Sequence, residues 1–375
     1  MVGLGARPSV RSSTRPGNPT TPLTTPVIAV DCNGADLGPA EVAAGAALAA
    51  REGARVLLFG PAGELEALSL SDGVEIVDAP ISVAKSADPV SAVRKTPEAS
   101  IVQAARAVAE GRAQALVCAG GTGAALAAGL FNVKRARGIY RPALANPLPV
   151  PNHPVTLLDV GANAEARREH LVQFAFMGAA LARTVLGVER PRVGLLSNGE
   201  EAARGSRLIV ETGEELTEKA GRGDAMEFVG NVQGNDVVVG VADVIVTDGL
   251  TGNIALKLME GVSQTLLGAV RDAAMASTRA KLGGALLRPA LREVRDELDP
   301  EEQGGAYLLG LRSLGVVPHG RFTSRGFARA IMRARRGAEQ DLVGKTQIAL
   351  EQAGALRGGA DRPSSAQPAS LPQAR

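Results

Sequence analysis

Short apolar runs rich in Val, Ile and Leu alternate along the chain with longer segments in which apolar residues recur at helical spacing. The short runs predict strands at 27–30, 55–59, 74–77, 115–118, 155–160, 193–196, 228–230, 242–247 and 315–317. The longer segments predict helices at 41–52, 100–110, 124–130, 170–186, 204–219 and 327–352. Strands that are joined through helices need crossover connections. We therefore predict an α/β fold with a mostly parallel sheet and helices on both of its faces.

Residues 258–300 break this alternation, because their pattern is helical throughout. The stretch is either one long helical region or two helices with a break near Gly283, Gly284 and Pro289. An apolar stripe flanked by arginines follows, from Leu287 to Leu298. A face of this kind packs on the core or on a second subunit, or it contacts an anionic membrane surface. The sequence leaves these alternatives open.

The two ends of the chain differ from its middle. Residues 1–25 are rich in Pro, Ser, Thr and Arg, and residues 357–375 are rich in Gly, Pro, Ser and Gln. Both segments are expected to be disordered and to bracket one domain at 26–356. The composition is 45% hydrophobic and 21% charged with a net charge of +2, as in an ordinary globular protein, and it gives no reason to expect nucleic-acid binding.

The cysteines and the apolar runs indicate the cellular compartment of the protein. Cys32 and Cys118 are too few for a disulfide framework, and the first residues lack the apolar segment of a secretory signal. No apolar run approaches the roughly 18 residues that are needed to span a bilayer. We therefore expect a cytoplasmic protein, and any contact with a membrane is expected to be peripheral.

Four loops that follow predicted strands are rich in small and polar residues: 120–123, 161–163, 197–201 and 248–253. Glycine lets backbone amides approach a ligand closely, and the N-terminus of the following helix favours an anion. In a parallel sheet such loops share one edge, where ligands bind. We therefore expect the four loops to form one anion site.

The loop 248–253 is the most complete of the four. It joins an apolar strand to a helix through the sequence DGLTGN. Lys257 lies one turn beyond Asn253 on the same helix face, so it could reach a phosphate at the helix N-terminus. A solvated lysine is the alternative interpretation.

Other kinds of site are not indicated. The loops match neither the Walker A pattern nor GxGxxG with a downstream acid, so no nucleotide cofactor is expected. His153, His170 and His319 share no metal-ligand spacing, and no metal site is expected. Of the three, only His319 follows a strand in a position suited to a strand-end site. No GxSxG elbow offers a serine nucleophile.

Longer motifs narrow the interpretation. The two longest are LLDVGANAEARREHLVQFAFMGAALARTVLGVERPRVGLLSNGEE at 157–201 and FVGNVQGNDVVVGVADVIVTDGLTGNIALK at 228–257. Shorter ones are AGGTGA at 119–124, RPALANPLP at 141–149, GGAYLLG at 304–310 and VPHG at 317–320. Together they closely resemble the bacterial phosphate acyltransferase family of the PlsX type, over about residues 27–356.

The resemblance implies a fold, a reaction and partners. The fold would be a three-layer α/β/α sandwich with a mostly parallel sheet and a protruding helical hairpin, like that of the isocitrate and isopropylmalate dehydrogenases and of phosphotransacetylase. The reaction would move a long-chain acyl group from acyl carrier protein to inorganic phosphate, and a membrane glycerol-3-phosphate acyltransferase would use the acyl phosphate next in phospholipid synthesis. Phosphate is then the nucleophile, so fixed donors and positioning suffice. The protein would be a homodimer that contacts the membrane peripherally through residues 258–300.

The resemblance also implies roles for individual residues in the matching motifs. The resemblance implies catalytic roles for Lys257, Asn253 and Asp248. It implies substrate binding by Thr122, Gly123, Asn163, Gly199, Glu200, Gly249, Thr251, Gly252 and His319. For Glu200, an acid or base role and a simple role as a carboxylate at a helix N-terminus both stay open.

The chain departs from the family's usual motifs at three places. Gly121 stands where Asn is usual, the first loop has Cys32–Ala35 instead of Met-Gly-Gly, and Arg321 and Phe322 replace two serines. Two alternative functions stay open. One is a phosphotransacetylase-like enzyme that uses acyl-CoA, and the other is a membrane-associated scaffold that binds acyl carrier protein with weakened turnover.

Overall fold

One sheet runs through the part of the chain that the structure, a computed structural model, describes: residues 25–358 without positions 69, 149, 151 and 152. Its eleven strands in those residues are β1 (Val27–Asp31), β2 (Arg55–Gly60), β3 (Val74–Asp78), β4 (Ala115–Cys118), β5 (Ala143–Leu148), β6 (Val155–Leu158), β7 (Arg192–Leu196), β8 (Glu227–Val232), β9 (Val244–Val246), β10 (Ala306–Leu309) and β11 (Leu314–Val317). The predicted strands are all present within a few residues, and β5 and β10 are additional. The predicted terminal arm and tail lie outside the described residues, except for Thr25, Arg357 and Gly358.

Helices lie against both faces of this sheet. They are α1 (Pro39–Arg51), α2 (Ala62–Leu65), α3 (Pro89–Lys95), α4 (Ser100–Ala109), α5 (Thr122–Ala128), α6 (Arg168–Leu181), α7 (Arg207–Ala220), α8 (Gly249–Met275), α9 (Thr278–Glu297), α10 (Pro300–Gln303), α11 (Ser324–Glu339) and α12 (Leu342–Gln352). Alternate residues of each strand face opposite sides, so Ile28 and Val30 pack with α1 and α11, whereas Ala29 packs with α4 and α5. The expected three-layer α/β/α sandwich is confirmed.

The direction of the strands reverses in the middle of the sheet. The strand order is β3-β2-β1-β4-β11-β10-β5-β6-β9-β7-β8. The first five of these strands are parallel to one another, and so are the last four. Between the two blocks, β10 is antiparallel to β11 and to β5, and β5 is antiparallel to β6. The two parallel blocks therefore run in opposite directions.

This reversal corrects the expectation that four strand-end loops share one edge. The loop after β4 lies at one end of the sheet, and the loops after β6, β7 and β9 lie at the other. The rule that ligands bind beyond the carboxyl ends of parallel strands assumes a single strand direction. Here a ligand that meets residues from both blocks must lie on the face of the sheet at β5.

The helix α8 runs from one end of the sheet toward the other. It begins after β9, and eleven residues later Glu260 forms an ion pair with Arg321, which follows β11 at the opposite end. Eleven residues of α-helix advance about 16 Å. The first part of α8 therefore crosses the sheet face in front of β5.

The remainder of α8 and the whole of α9 form an antiparallel hairpin, as predicted. Only Gly249 and Gly252 are buried in α8, and α9 has no buried residue. The predicted break near Gly283 and Pro289 is wrong, because the turn lies at Ala276–Ser277, where the Ser277 hydroxyl accepts the Ala280 amide at 3.1 Å and begins α9. Neither helix, nor any other helix of the described residues, has the length and apolar content that crossing a bilayer requires.

The glycines of α8 give a test of this packing. A Cβ atom on Gly252 would lie 1.9 Å from the carbonyl oxygen of Asp159, whereas one on Gly261 would meet nothing within 4 Å. We expect Gly252→Ala to lower the free energy of unfolding by at least about 3 kcal/mol. We expect Gly261→Ala to raise it by up to about 1 kcal/mol, because alanine favours the helix. Equal urea midpoints for the two variants would contradict this packing.

Candidate active site

A cavity of about 610 Å³ lies between α8 and the face of β5. Its walls come from β5, the inner side of α8, the segment from Leu298 to Ala306, and the turn that follows β11. The polar and charged side chains that line it include Thr122, Asn146, Asn253, Lys257, Glu260, His319 and Arg321. Four of these seven, Thr122, Asn253, Lys257 and His319, are predicted site residues.

One face of α8 lines the cavity over four turns. The residues at Asn253, Lys257, Glu260, Gln264 and Leu267 recur every three or four positions, which keeps them on one side of the helix. From the first to the last, the helix advances about 21 Å. The cavity is therefore long, with polar residues at the start of this row and an apolar residue at its end.

The outer face of α8 has a different character. Leu250, Ile254, Leu258, Val262 and Leu266 repeat every four residues there, and each is about half or more exposed. Water covers these apolar side chains in the single chain, so the row is available for contact with another surface.

The position of α8 depends on the carboxyl group of Asp159. This group is fully buried and accepts five hydrogen bonds from N–H groups: from the amides of Leu144, Gly161, Ala162 and Asn163, and from Asn163 Nδ2, at 2.8–3.2 Å. Burial raises the pKa of Asp159, and these hydrogen bonds oppose that shift. Because all five partners are donors, their geometry fits the ionised carboxylate.

The loop that Asp159 organises holds the start of α8. Asn163 accepts the Gly249 amide through its carbonyl at 2.7 Å, and Val160 accepts from Asn253 Nδ2 at 3.1 Å. Gly249 and Gly252 lie so close to Asp159 and Asn163 that neither position has room for a side chain. Gly249 and Gly252 therefore permit a close contact within the protein. This contact explains them better than the predicted approach to a substrate.

The N-terminus of α8 is already occupied, which corrects the prediction of an anion pocket there. Asp248 accepts from the Thr251 amide at 2.8 Å and from its hydroxyl at 2.7 Å, so it is the N-cap of the helix. The Gly249 amide is bound to Asn163. The Asp248 carboxylate is negatively charged, and the amides of Gly249 and Thr251 already have partners. Little at this end of the helix could therefore attract phosphate. Asp248 and Thr251 do not line the cavity.

Asn163 also has a structural position. Its Nδ2 atom donates to Asp159 and to the Pro142 carbonyl, both at 2.8 Å. Both amide protons are thereby used within the protein. The predicted contact with substrate is replaced by a role in fixing the loop between β6 and α6.

Lys257, Asn253 and Thr122 all line the cavity. Lys257 is exposed, and its Nζ has no ion-pair or hydrogen-bond partner among the residues that the structure describes. Thr122 begins α5 next to Gly121, whose backbone is left-handed with φ 55°. Glycine adopts this conformation freely, so Gly121 suits the backbone that this position requires.

His319 reaches the same region from the turn after β11. Its Nδ1 accepts the Arg321 amide at 3.3 Å, so the neutral ring carries its proton on Nε2. The ring packs beside Phe322, with centroids 6.2 Å apart. Burial, and next the charge of Arg321, lower the pKa of His319. His319 is therefore a neutral donor at pH 7.

Three further predicted residues also lie outside the cavity. Gly199 and Glu200 belong to the loop after β7, where Glu200 accepts from Gln233 Nε2 at 3.0 Å on the surface. Gly123 makes room for α3, since a Cβ there would lie 2.9 Å from Pro89. The reversal of the sheet places the loops after β4 and β7 at opposite ends, which separates these positions from one another.

Sequence reasoning missed three residues that line the cavity: Asn146, Glu260 and Arg321. Asn146 lies on β5 between Leu144 and Leu148, whose side chains share its face. The alternation in ALANPL would have indicated a strand, but Pro147 argues against one. Glu260 follows Lys257 at helical spacing, which was a usable signal.

The described fold is that of the phosphotransacylases. A phosphotransacetylase from Streptococcus pyogenes has a similar structure, with a TM-score of 0.56, 16% identity, and coverage of 83% of this chain and 93% of that one. The EutD phosphotransacetylase from Staphylococcus aureus gives a TM-score of 0.54 with 16% identity, over 84% of this chain and 94% of that one. At such identities the similarity concerns the fold alone.

The sequence defines the family. Residues 27–345 match the family model described as "Fatty acid synthesis protein". A phosphate acyltransferase from Heliobacterium modesticaldum is 42% identical over 327 residues, which are 85% of this chain and 96% of the relative. One from Moorella thermoacetica is 41% identical over 321 residues, 84% of this chain and 93% of the relative. The chain belongs to the phosphate acyltransferase family, and it is an acyltransferase.

A matched test compares Asp159, in the loop that holds the start of α8, with Asp248, the N-cap of that helix. Asp159→Asn would turn an NH₂ group toward buried N–H donors, and we expect a loss of roughly 3 kcal/mol in the free energy of unfolding. Asp248→Asn replaces one good N-cap residue by another, so we expect a change within about 0.5 kcal/mol. Urea unfolding followed by circular dichroism measures both. A small effect at position 159 would show that α8 does not depend on this carboxylate.

Proposed function

We propose that this chain transfers a long-chain acyl group from a thioester of acyl carrier protein to inorganic phosphate and releases acyl phosphate. The observation that carries the proposal is the composition of the cavity along α8. Lys257, His319 and Thr122 offer a charge and donors, and apolar side chains of the same helix also line the cavity. Membership in the phosphate acyltransferase family supports the same chemistry.

The polar end suits phosphate as the nucleophile. A phosphate oxygen attacks the thioester carbonyl carbon and forms a C–O bond, the C–S bond breaks, and the thiolate leaves with the carrier protein and takes a proton from solvent. Lys257 holds the phosphate by charge. The Nε2–H of His319 has no acceptor among the described residues, so it can donate to the oxyanion that develops at the carbonyl. Fixed donors and close placement of two reactants are the contributions that this mechanism needs from the protein.

The apolar part of the cavity suits the acyl chain. Leu256, Met259 and Leu267 of α8 line it together with Leu298 and Ala306. The lined length of α8, about 21 Å, exceeds the roughly 15 Å of hydrocarbon in one leaflet of a bilayer. An acyl chain of membrane length would therefore fit along this row.

The same proposal includes partners. The donor is acyl carrier protein, and the product passes to a membrane glycerol-3-phosphate acyltransferase for phosphatidic acid synthesis. The exposed apolar row of α8 and the exposed Leu282, Leu286 and Leu287 of α9 support contact with a second copy or with a membrane surface. The row suits either a homodimer or peripheral attachment.

The test is to incubate the pure protein with palmitoyl-acyl carrier protein, with and without phosphate, and to measure acyl phosphate and free thiol. Thiol release without phosphate, or no release at all, would rule the proposal out. Palmitoyl-CoA run in parallel tests the alternative donor. Normal binding of the carrier protein without any acyl phosphate would favour the scaffold.

Removing the lysine charge should impair the use of phosphate. A hydrogen bond to a charged group contributes roughly 1.5–3 kcal/mol, so we expect Lys257→Ala to lower kcat/KM for phosphate by about 10- to 100-fold. Lys257 is exposed, so Tm should change little. Lys281→Ala on α9 is the control for loss of an exposed lysine on the hairpin. If Lys257→Ala lowered Tm strongly, Lys257 would be structural.

The far end of the α8 row should limit the length of the acyl chain. Leu267→Trp would fill the cavity there, and we expect kcat/KM with a palmitoyl donor to fall at least about tenfold relative to an octanoyl donor. Leu266→Trp is the matched control, because Leu266 lies on the outer face and is 61% exposed. Equal ratios for the two variants would place the acyl chain elsewhere.

A further inference from the structure

Arg321 is a second cation at the polar end of the cavity, and its donors are unused. Its nearest carboxylate in the described residues is that of Glu260, with Nη2 and Oε2 3.6 Å apart, which exceeds hydrogen-bonding distance. The guanidinium donates no hydrogen bond to any described residue. An arginine presents five N–H donors in a fixed plane, so this one is available to a ligand.

Arg321 and Lys257 both line the cavity, and both charges affect His319. Both lie along the cavity wall, one on the turn after β11 and the other on α8. The charges of both lower the pKa of His319, which lies between these elements. Glu260 follows Lys257 by three residues, so its carboxylate lies on the same helix face as the lysine.

The turn that carries Arg321 is fixed independently of Glu260. The Arg321 amide donates to His319 Nδ1 at 3.3 Å, and the Phe322 amide donates to the His319 carbonyl at 3.0 Å. Phe322 is buried against Phe327 of α11. The backbone therefore keeps its position when the ion pair separates, and only the long side chains need to move.

We propose that Arg321 is a phosphate ligand of this enzyme and that Glu260 holds its guanidinium until phosphate enters. This proposal rests on the proposed function. Phosphate carries up to two negative charges at neutral pH, and Lys257 alone supplies one positive charge. A guanidinium binds phosphate with two parallel hydrogen bonds, which a carboxylate at 3.6 Å does not match. Phosphate replaces Glu260 as the partner of Arg321, so Glu260 competes with the substrate.

A purely structural ion pair leads to a different expectation. If Arg321 and Glu260 only join α8 to the turn after β11, then removing either residue loosens the same contact. Both substitutions would then change the kinetics in the same direction. Competition with phosphate instead gives opposite directions for the two single variants.

The experiment measures KM for inorganic phosphate with saturating acyl donor. We expect Arg321→Ser to raise KM for phosphate at least about tenfold, by loss of a charged hydrogen bond. We expect Glu260→Gln to lower KM several-fold, and the double variant to resemble Arg321→Ser. Arg312→Ser, an exposed arginine outside the cavity, is the control. Changes of the same sign, or an unchanged KM in Arg321→Ser, overturn the proposal.

A binding measurement without acyl donor makes the result independent of turnover. Inorganic phosphate should raise Tm of the wild type and of Glu260→Gln, and should raise it much less in Arg321→Ser. An equal rise in all three would show that Arg321 does not touch phosphate. Failure of the wild type to form acyl phosphate would instead count against the proposed function, which keeps the two outcomes apart.

Discussion

The buried carboxylate of Asp159 is the interaction on which the site depends. It gathers four backbone amides and one side-chain amide into a closed loop, and that loop receives the first turn of α8. The contact between Gly252 and the Asp159 carbonyl leaves no freedom in how the helix begins. This contact between the Asp159 loop and the first turn of α8 therefore sets the position of every α8 residue that lines the cavity.

This arrangement changes what a strand–loop–helix unit does. Such a unit commonly binds an anion at the helix N-terminus. Here Asp248 and Asn163 occupy that N-terminus, and the helix serves as a wall. The reversal of strand direction at β5 lets α8 cross from one block of the sheet to the turn that follows the other. Lys257 and His319, which come from opposite ends of the sheet, consequently reach one cavity.

Local sequence patterns predicted much of the fold and part of the site. Apolar runs such as Val244–Val246 predict strands, because buried parallel strands need β-branched and aliphatic residues. Lys257, Asn253, Thr122 and His319 were predicted because they follow strand ends, and all four line the cavity. The antiparallel pairing of β10 with β5 joins segments far apart in the chain, and no local pattern encodes it. The missed Arg321 follows from that gap, whereas Asp248 accepts hydrogen bonds only within its own turn.

The position of bound phosphate tests this account most directly. A crystal structure of the protein with phosphate would show which donors hold the anion. We expect the phosphate to lie inside the cavity, within hydrogen-bonding distance of Lys257 Nζ and beside His319. Phosphate bound at the start of α8, against Asp248, Gly249 and Thr251, would contradict the assignment of the site to the face of the helix.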